Sequence, residues 1–423
     1  MAFPFTNTLT NPPGVKALRR ILLAKEATAG TGVYIATATW RGLGTIEDQL
    51  SFKYPPEDIG LLSKTDRSYI DKFAGTLSLE NTPATFEQIV YLLEGGVKAV
   101  STGVADGAGT GKIYAYAFPT TAHTTIKTFT VQGGDDVEVE FGKYCFVSKF
   151  KLDGKAEEAL MMSGDLTLQK VINPTYTTAG TITYGNTPNT LVDSLSGFVT
   201  AGFAVGMTVR TLGSTTAAND KTYTITILAA GTMTVTETPA PEASSAGAVT
   251  IYGAFTPAAI PTVEEILFGN STLYIDAIGD EVGTTTVANS LLAASLDVTT
   301  GWMPIFTGSG VPFTFAKQAQ PPEVKLQLTF EHDGNSSYLK RGWRAQTPYL
   351  IRWKMTGSTL ATAGTTYAVK TLLIDLAGKF TKFQKIGEKN GNDIVVGEFE
   401  GRYDATAATA GTITVVNALA TVT

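Results

Sequence analysis

Two histidines, His123 and His332, and one cysteine, Cys145, are the side chains of this 423-residue chain best suited to nucleophilic or proton-transfer chemistry near neutral pH. Neither histidine stands in a metal-ligand spacing with Cys, Asp or Glu. Cys145 falls inside an alternating apolar run, where a cysteine serves as a small core side chain. Segment 107–112, GAGTGK, has the glycines and lysine of a phosphate loop without its spacing: Asp106 takes the place of the first glycine, and Ile113 that of the Ser or Thr that would hold magnesium. A surface loop is the expectation. Asp333, Gly334 and Asn335 begin like a calcium loop, but no acidic residue follows at the required distance, and a helix cap accounts for them. No catalytic residue, cofactor site or metal site is assigned, and the expectation is that the protein is not an enzyme.

The elements around these residues come in two versions. Residues 144–171 alternate apolar and polar side chains, turn at Asp153 and Gly154, and alternate again, which predicts a long β-hairpin buried on one face. Residues 371–403 repeat that plan with a different sequence. Before the first hairpin, 71–97 reads as a strand running into a short helix. Thr82 is placed to cap it, Pro83 to begin it, Phe86, Ile89, Val90 and Leu93 to form its apolar face, and Gly95 to end it. Residues 322–346 repeat this too: Val324, Leu326, Leu328 and Phe330 alternate, Asn335 or Ser336 caps a helix holding Tyr338, Leu339 and Trp343, and Pro348 bars its continuation. Two divergent copies of one unit are the simplest account.

The totals agree with a folded β protein. Apolar residues make up 43% of the chain and charged residues 17%, with Thr, Ala, Gly and Val prominent and long Leu/Glu/Lys helices missing. A net charge of −6 argues against a duplex-clamping protein, whose affinity comes from clustered Lys and Arg. A single cysteine excludes an internal disulfide framework. No stretch approaches the ~20 apolar residues that span a bilayer, and the N-terminus lacks the pattern of a secretion signal. The segment 15–26, VKALRRILLAKE, is basic and amphipathic: a strand or helix docked on a core is expected, with a membrane-surface helix as the alternative.

Residues 1–30 read as an arm. Two long connections, 50–72 and 300–322, each precede the equivalent strand of their copy, and such lengths inside a compact domain are usually functional. Tyr54, Pro55, Pro56 and Asp58 in the first, and Trp302 and Pro304 in the second, are the candidate contact residues. Along 136–141, Val137, Val139 and Phe141 are assigned one strand face and Asp136, Glu138 and Glu140 the other. Between the copies, residues 173–253 are nearly uncharged and break into short strands with turns at 186–189, 218–221 and 239–242, as an inserted β-sandwich would.

Duplicated β units with a helix, projecting arms, an inserted sandwich and no catalytic centre resemble the tube proteins of long-tailed bacteriophages. The segment LLAKEATAGT, 22–31, is similar to the opening signature of one tube family, in which an acidic residue and a Gly-Thr pair follow an apolar segment, and the 144–171 hairpin is similar to that family's second hairpin. The insert resembles a small Ig-like module of phage virion proteins, matched at Asn219, Asp220, Thr222, Tyr223, Thr224 and Ile225. The resemblance implies a mainly β fold with two tandem tube domains, 1–172 and 254–423, each a β-barrel or sandwich with a short helix, and an inserted sandwich over 173–253 that decorates the outer surface. It implies a virion tail protein assembled in the host cytoplasm. Its partners would be copies of itself, in trimeric pseudo-sixfold rings stacked into a tube, together with tape-measure, tail-terminator and tail-tip proteins, and DNA passing through without specific binding; no cofactor and no membrane insertion are implied. Asp136, Glu138, Glu140, Glu323, Gln327 and Glu331 would line the lumen, and the two arms would grip the next ring. The competing expectation is a multi-domain surface adhesin or carbohydrate-binding protein.

Overall fold

A computed structural model describes residues 14–100, 102–179, 181–245, 247–384, 386–389 and 391–422; the start of the N-terminal arm, 1–13, lies outside the described residues. The fold is mainly β, with antiparallel sheets and, among the described residues, two α-helices. The chain divides into two compact units. One takes Met1–Gly75, Phe129–Tyr144 and Leu168–Ile260; the other takes Thr76–Thr128, Cys145–Thr167 and Pro261–Thr423.

In the first unit the basic apolar stretch makes a 3-10 turn at Lys16–Leu18 and then the strand Arg20–Lys25. Ile21, Leu22, Leu23 and Ala24 are all buried, so no amphipathic helix forms there: a continuous apolar run suits a strand covered on both faces. It pairs with Ala38–Trp40 and with Phe129–Gly134. Glu26, itself buried, accepts hydrogen bonds from the Gly30 amide (2.8 Å), the Thr130 hydroxyl (3.0 Å) and the Tyr144 amide (2.8 Å). Gly30 has φ +81°, and a Cβ there would stand 2.7 Å from the Tyr144 ring. The acidic residue and glycine of 22–31 thus form a turn lock around the kink at Tyr144, whose own φ is 52°.

The insert is a seven-stranded sheet in the order Thr175–Ala179, Ala248–Ala254, Thr208–Leu212, Thr222–Ala229, Thr232–Val235, Asn189–Asp193, Ile182–Asn186. Strand Thr222–Ala229 serves both leaves, passing from one partner to the other at a bulge between Ile225 and Ile227. Tyr223 and Ile225 fill the core, while buried Asn219 bonds the Ala240 backbone and Glu242 to close the turn. Ile182, Leu191, Phe198, Tyr223 and Ile251 belong to one apolar cluster with Leu22, Val139 and Phe141. The sequence suggests a self-contained module; in the structure the insert shares its core with the N-terminal segments. Gly253 permits this, since a Cβ there would sit 2.6 Å from the Phe141 ring.

The strands of the second unit pair antiparallel in a sheet that closes on itself as a barrel. Gly75–Pro83 pairs Met161–Leu168, which pairs the long strand Val139–Lys155; that strand then pairs Leu291–Thr299, followed by Glu323–Glu331, Asn392–Gly401 and Val369–Phe383. The partners repeat between the two halves of the sequence. In the first, Arg20–Lys25 pairs Phe129–Gly134, which pairs Val139–Lys155, then Met161–Leu168 and Gly75–Pro83. In the second, Ser271–Ala277 pairs Pro348–Thr359, then Val369–Phe383, Asn392–Gly401 and Glu323–Glu331. Both hairpins carry a bulge at the same place, at Ser148 and at Thr381. In each the bulged residue donates its hydroxyl to a carbonyl across the hairpin, Ser148 to Asp165 at 2.9 Å and Thr381 to Glu398 at 3.2 Å.

Several boundaries differ from those read in the sequence. Asp153 and Gly154 lie within the strand, and the chain turns after Lys155, where Glu157 takes φ 71°; Gly154 instead makes room for the Phe268 ring. The first helix runs Ile89–Gly96 with Gln88 at its N-cap and no side-chain cap: Thr82 and Pro83 still belong to the strand, and Thr85 holds the turn before the helix by accepting from the Gln88 amide at 3.1 Å. The second helix, Gly334–Arg344, is capped by Asp333 in a capping box with Ser336. Asp136 and Glu138 sit in a turn held by Asp135, and the strand begins only at Val139. Asp106 anchors the GAGTGK loop to the loop before Val369–Phe383 by accepting from the Thr366 (2.9 Å) and Tyr367 (2.7 Å) amides.

One ionic cluster ties the lead-in of the first helix to the second repeat. Lys370 lies 2.6 Å from Glu87 and 3.0 Å from Glu264, and Glu264 also accepts from the Ser358 amide and hydroxyl, each at 2.5 Å. Burial disfavours both charges, but the hydrogen bonds outweigh it: those from Ser358 and Lys370 hold Glu264 below the usual carboxylate range, and those to Glu87 and Glu264 hold Lys370 above the usual lysine range. A depressed carboxyl gives stability that is present above its unfolded pKa of ~4.3 and lost as pH falls through the folded value; a raised lysine gives stability present below ~10.4 and lost as pH rises through the folded value. Unfolding free energy should therefore be flat between about pH 5 and 10 as far as this cluster decides, and fall on both sides. Lys370→Met should cost about 3 kcal/mol in urea melts at pH 7, because two carboxylates are left facing each other; a loss below about 1 kcal/mol would show that the cluster is not structural.

Candidate functional site

Alternation along the strands of the second unit sends Phe150, Leu152, Leu296, Val298, Leu326, Leu328 and Phe399 into the core. The residues between them form a broad polar face. Directly opposed across five strands stand Lys151, Asp297, Lys325, Glu400 and Lys379, a row whose charge changes sign at every step. A second row holds Asp153, Ser295, Gln327, Glu398 and Lys382, and a third Asp165, Lys149, Thr299 and Glu323. Carboxylates stand close to the cations: Lys149 lies 3.2 Å from Asp297, Lys151 3.5 Å from Asp153, Lys325 2.5 Å from Glu323 and Arg402 2.8 Å from Glu400. The Glu323 hydrogen bond, and then its charge, raise the Lys325 pKa. Each pair is solvated and adds little stability. What the pattern provides is a charge-balanced surface on which, among the described residues, the cations of the rows alternate with carboxylates and do not cluster as a phosphate backbone would require.

Of the six residues assigned to a common wall, Glu323, Gln327 and Glu331 lie on the outer side of Glu323–Glu331, with Glu323 and Gln327 exposed and Glu331 half-buried. Asp136, Glu138 and Glu140 belong to the first unit. There Asp136 accepts from the Val15 amide at 3.3 Å, Glu138 bonds the Asn173 side chain, and burial followed by the charges of Glu138 and Asp48 pushes Glu140 above the usual carboxylate range. Lys149, Lys151, Asp165, Asp297, Lys325, Glu398 and Glu400 were not singled out in the sequence. Their signal was present as the polar phase of the alternation, but which strands lie side by side is not a local property.

The join between the repeats is the second feature of this face. Residues 149–155 of the first repeat pair with 293–299 of the second in seven consecutive steps. At the Ser148 bulge, Thr300 donates its amide to the Ser148 carbonyl at 3.0 Å and its hydroxyl to the Val147 carbonyl at 2.9 Å. A Cβ on Gly96, the last residue of the first helix, would lie 2.9 Å from Thr300 and 3.1 Å from Val147, so only glycine allows this approach.

Each arm is a two-stranded ribbon separate from the larger sheets. In the first unit Ser51–Lys53 pairs Tyr69–Lys72, and the tip carries Tyr54, Pro55, Pro56 and Asp58. Tyr54 is exposed, as are Phe52, Ile59, Leu61, Leu62 and Tyr69. In the second unit Trp302–Ile305 pairs Phe315–Gln318, placing Trp302 opposite Gln318 and Pro304 opposite Ala316, with Met303, Phe306 and Phe315 exposed. Each ribbon starts three residues after the strand before it, Asp48 to Ser51 and Thr299 to Trp302.

The residues first considered for chemistry do not gather. Cys145 is fully buried in its strand, and His123 and His332 are exposed. Among the described residues no group of three or more His, Cys, Asp and Glu is placed to hold a metal ion, and no helix is long and apolar enough to cross a membrane. No protein-family model matches the chain, and no curated protein matches it by sequence.

If charge balance is what keeps this face from holding DNA, Asp297→Lys with Glu400→Lys should create it as a binder by turning the alternating row into five cations. Mobility-shift assays should show duplex binding absent from the parent, weakening steeply with salt in proportion to the phosphates contacted. Equal mobility for parent and variant would refute that role for the row.

Proposed function

We propose that the chain is a structural subunit that closes with its own copies into rings, stacked as the tail tube of a long-tailed bacteriophage and serving as a conduit for DNA. The observation that carries this reading is the join of 149–155 to 293–299, where two copies of one unit are coupled edge to edge into a single sheet with one charge-balanced face. A sheet extended from unit to unit in this way either grows indefinitely or closes, and closure removes its edges. Four strands of the second repeat carry the charge-balanced face, Leu291–Thr299, Glu323–Glu331, Asn392–Gly401 and Val369–Phe383. Four per repeat and six repeats per ring make 24 strands; at ~4.8 Å spacing and with tilt, that is a barrel roughly 40 Å across, wide enough for a hydrated duplex. Three chains supply six repeats.

A wall of alternating charge lets a polyanion slide, where a basic wall would retain it. The exposed apolar tips of the arms suit contacts between neighbouring subunits or rings. On this reading the protein resides in the virion tail, with tail-terminator, tape-measure and tip proteins as its further partners.

Negative-stain microscopy of the purified chain at rising concentration should show rings or hollow tubes; dispersed monomers at every concentration would sink the proposal. Deleting residues 55–66 should leave a soluble chain of nearly unchanged melting temperature that no longer forms stacked tubes. Normal tubes from that deletion would remove the first arm from the stacking contact.

A further inference from the structure

The two bulged hairpins are equivalent, so their carbonyls should meet equivalent donors, and they do not. At Ser148 the donor is the Thr300 amide of the other repeat. At Thr381 the carbonyl accepts instead from the indole N–H of Trp343, at 3.1 Å. Along the flank that carries Pro348–Thr359, the ladder on Val369–Phe383 ends at Lys379, opposite Pro348, and among the described residues no strand pairs beyond it there. With the bulges aligned, Phe380–Phe383 is the counterpart of Val147–Phe150, where the pairing with Leu291–Thr299 begins at Lys149.

The helix ends differ to match. Where the join is filled, the first helix finishes in Gly95 and Gly96, against Thr300 and Val147. Where it is not, the second helix carries Trp343 one residue from its end, with its ring 6.0 Å from that of Phe383.

We propose that Trp343 is a placeholder: in the free chain its indole occupies the carbonyl that a strand of a second copy of this chain takes on assembly, and it is displaced when that copy docks along Phe380–Phe383. The donor is the strand that leads into the first arm, Gly44–Asp48, which stands three residues before its ribbon as Leu291–Thr299 does before the other; in the free chain it belongs to the barrel sheet of its own molecule, so docking also requires its release from there. The inference rests on the ring reading above and adds to it a barrier that sets when rings form.

The test is Trp343→Phe, which keeps an aromatic ring against Phe383 and removes the N–H. By light scattering, the variant should polymerise at an about fivefold lower protein concentration than the parent, the scale of one hydrogen bond to be broken before docking. Acrylamide quenching of the Trp343 emission, taken as parent minus variant, should rise about twofold on going from monomer to ring, since displacement frees the indole. A parent that forms rings while the variant has the same threshold and Trp343 quenching does not change overturns the placeholder and leaves the ring reading standing. A parent that never forms rings overturns both. If Trp343→Phe is too unstable to assemble, a chain in which Trp40, Trp302 and Trp353 are each replaced by Phe reports Trp343 directly, and unchanged quenching in its rings decides against the inference.

Discussion

The structure turns on the backbone carbonyls of a β-bulge. An extra residue in one strand cannot join the ladder, so the polar groups beside it need donors from elsewhere, and leaving a buried carbonyl unpaired costs about as much as a lost hydrogen bond. At Ser148 the need is met by Thr300, which gives both its amide and its hydroxyl. That contact fixes where Leu291–Thr299 lies along Val139–Lys155, and the register then decides which charges meet: a slip of two residues would put Lys151 opposite Ser295 or Thr299 instead of Asp297. One bulge sets both the coupling of the repeats and the electrostatic pattern of the face they share.

The inner side of that sheet explains why the outer side can be so polar. Fully buried side chains, among them Phe150, Leu152, Leu296, Val298, Leu326 and Leu328, supply the burial that orders the strands. The outer residues are then free to be chosen for charge. Pairs such as Lys325 with Glu323 or Arg402 with Glu400 are weak individually in solvent, and their role is to cancel field without building stability.

Much of the β architecture was legible from period alone. Alternation along Val324, Leu326, Leu328 and Phe330 marked a strand with one buried face, and the same signal revealed both hairpins and the duplication. The errors came where a residue has two uses. Gly154 looks like a turn glycine, yet it lies in a strand and gives way to Phe268; Pro83 looks like a helix start, yet it ends a strand and Thr85 begins the turn. Asp136 and Glu138 continue the alternation of their neighbours, but Asp135 captures the amides of Val137 and Glu138 and turns the chain first. The charge rows were hidden for another reason: Lys151 and Asp297 are 146 residues apart, being residues 151 and 297, and only the paired strands bring them together. The sharing of the insert's core with Phe141 was hidden in the same way.

Fusing two repeats in one chain permits something that identical subunits cannot do. In a ring of identical units every join has the same donors, the same acceptors and the same helix end, so no join can be made easier than another. Here the internal join is completed within the molecule, with glycine at the helix end to admit Thr300. The equivalent edge in the second repeat has its carbonyl satisfied by Trp343, which keeps an unpaired strand end from presenting an open acceptor. The copies differ at the helix ends, Gly95 and Gly96 against Trp343, although the hairpins they abut share the same bulge and the same hydroxyl bond. A different donor at the same acceptor, on a bulge that both copies share, follows if one junction is permanent and the other must be opened before it can be made.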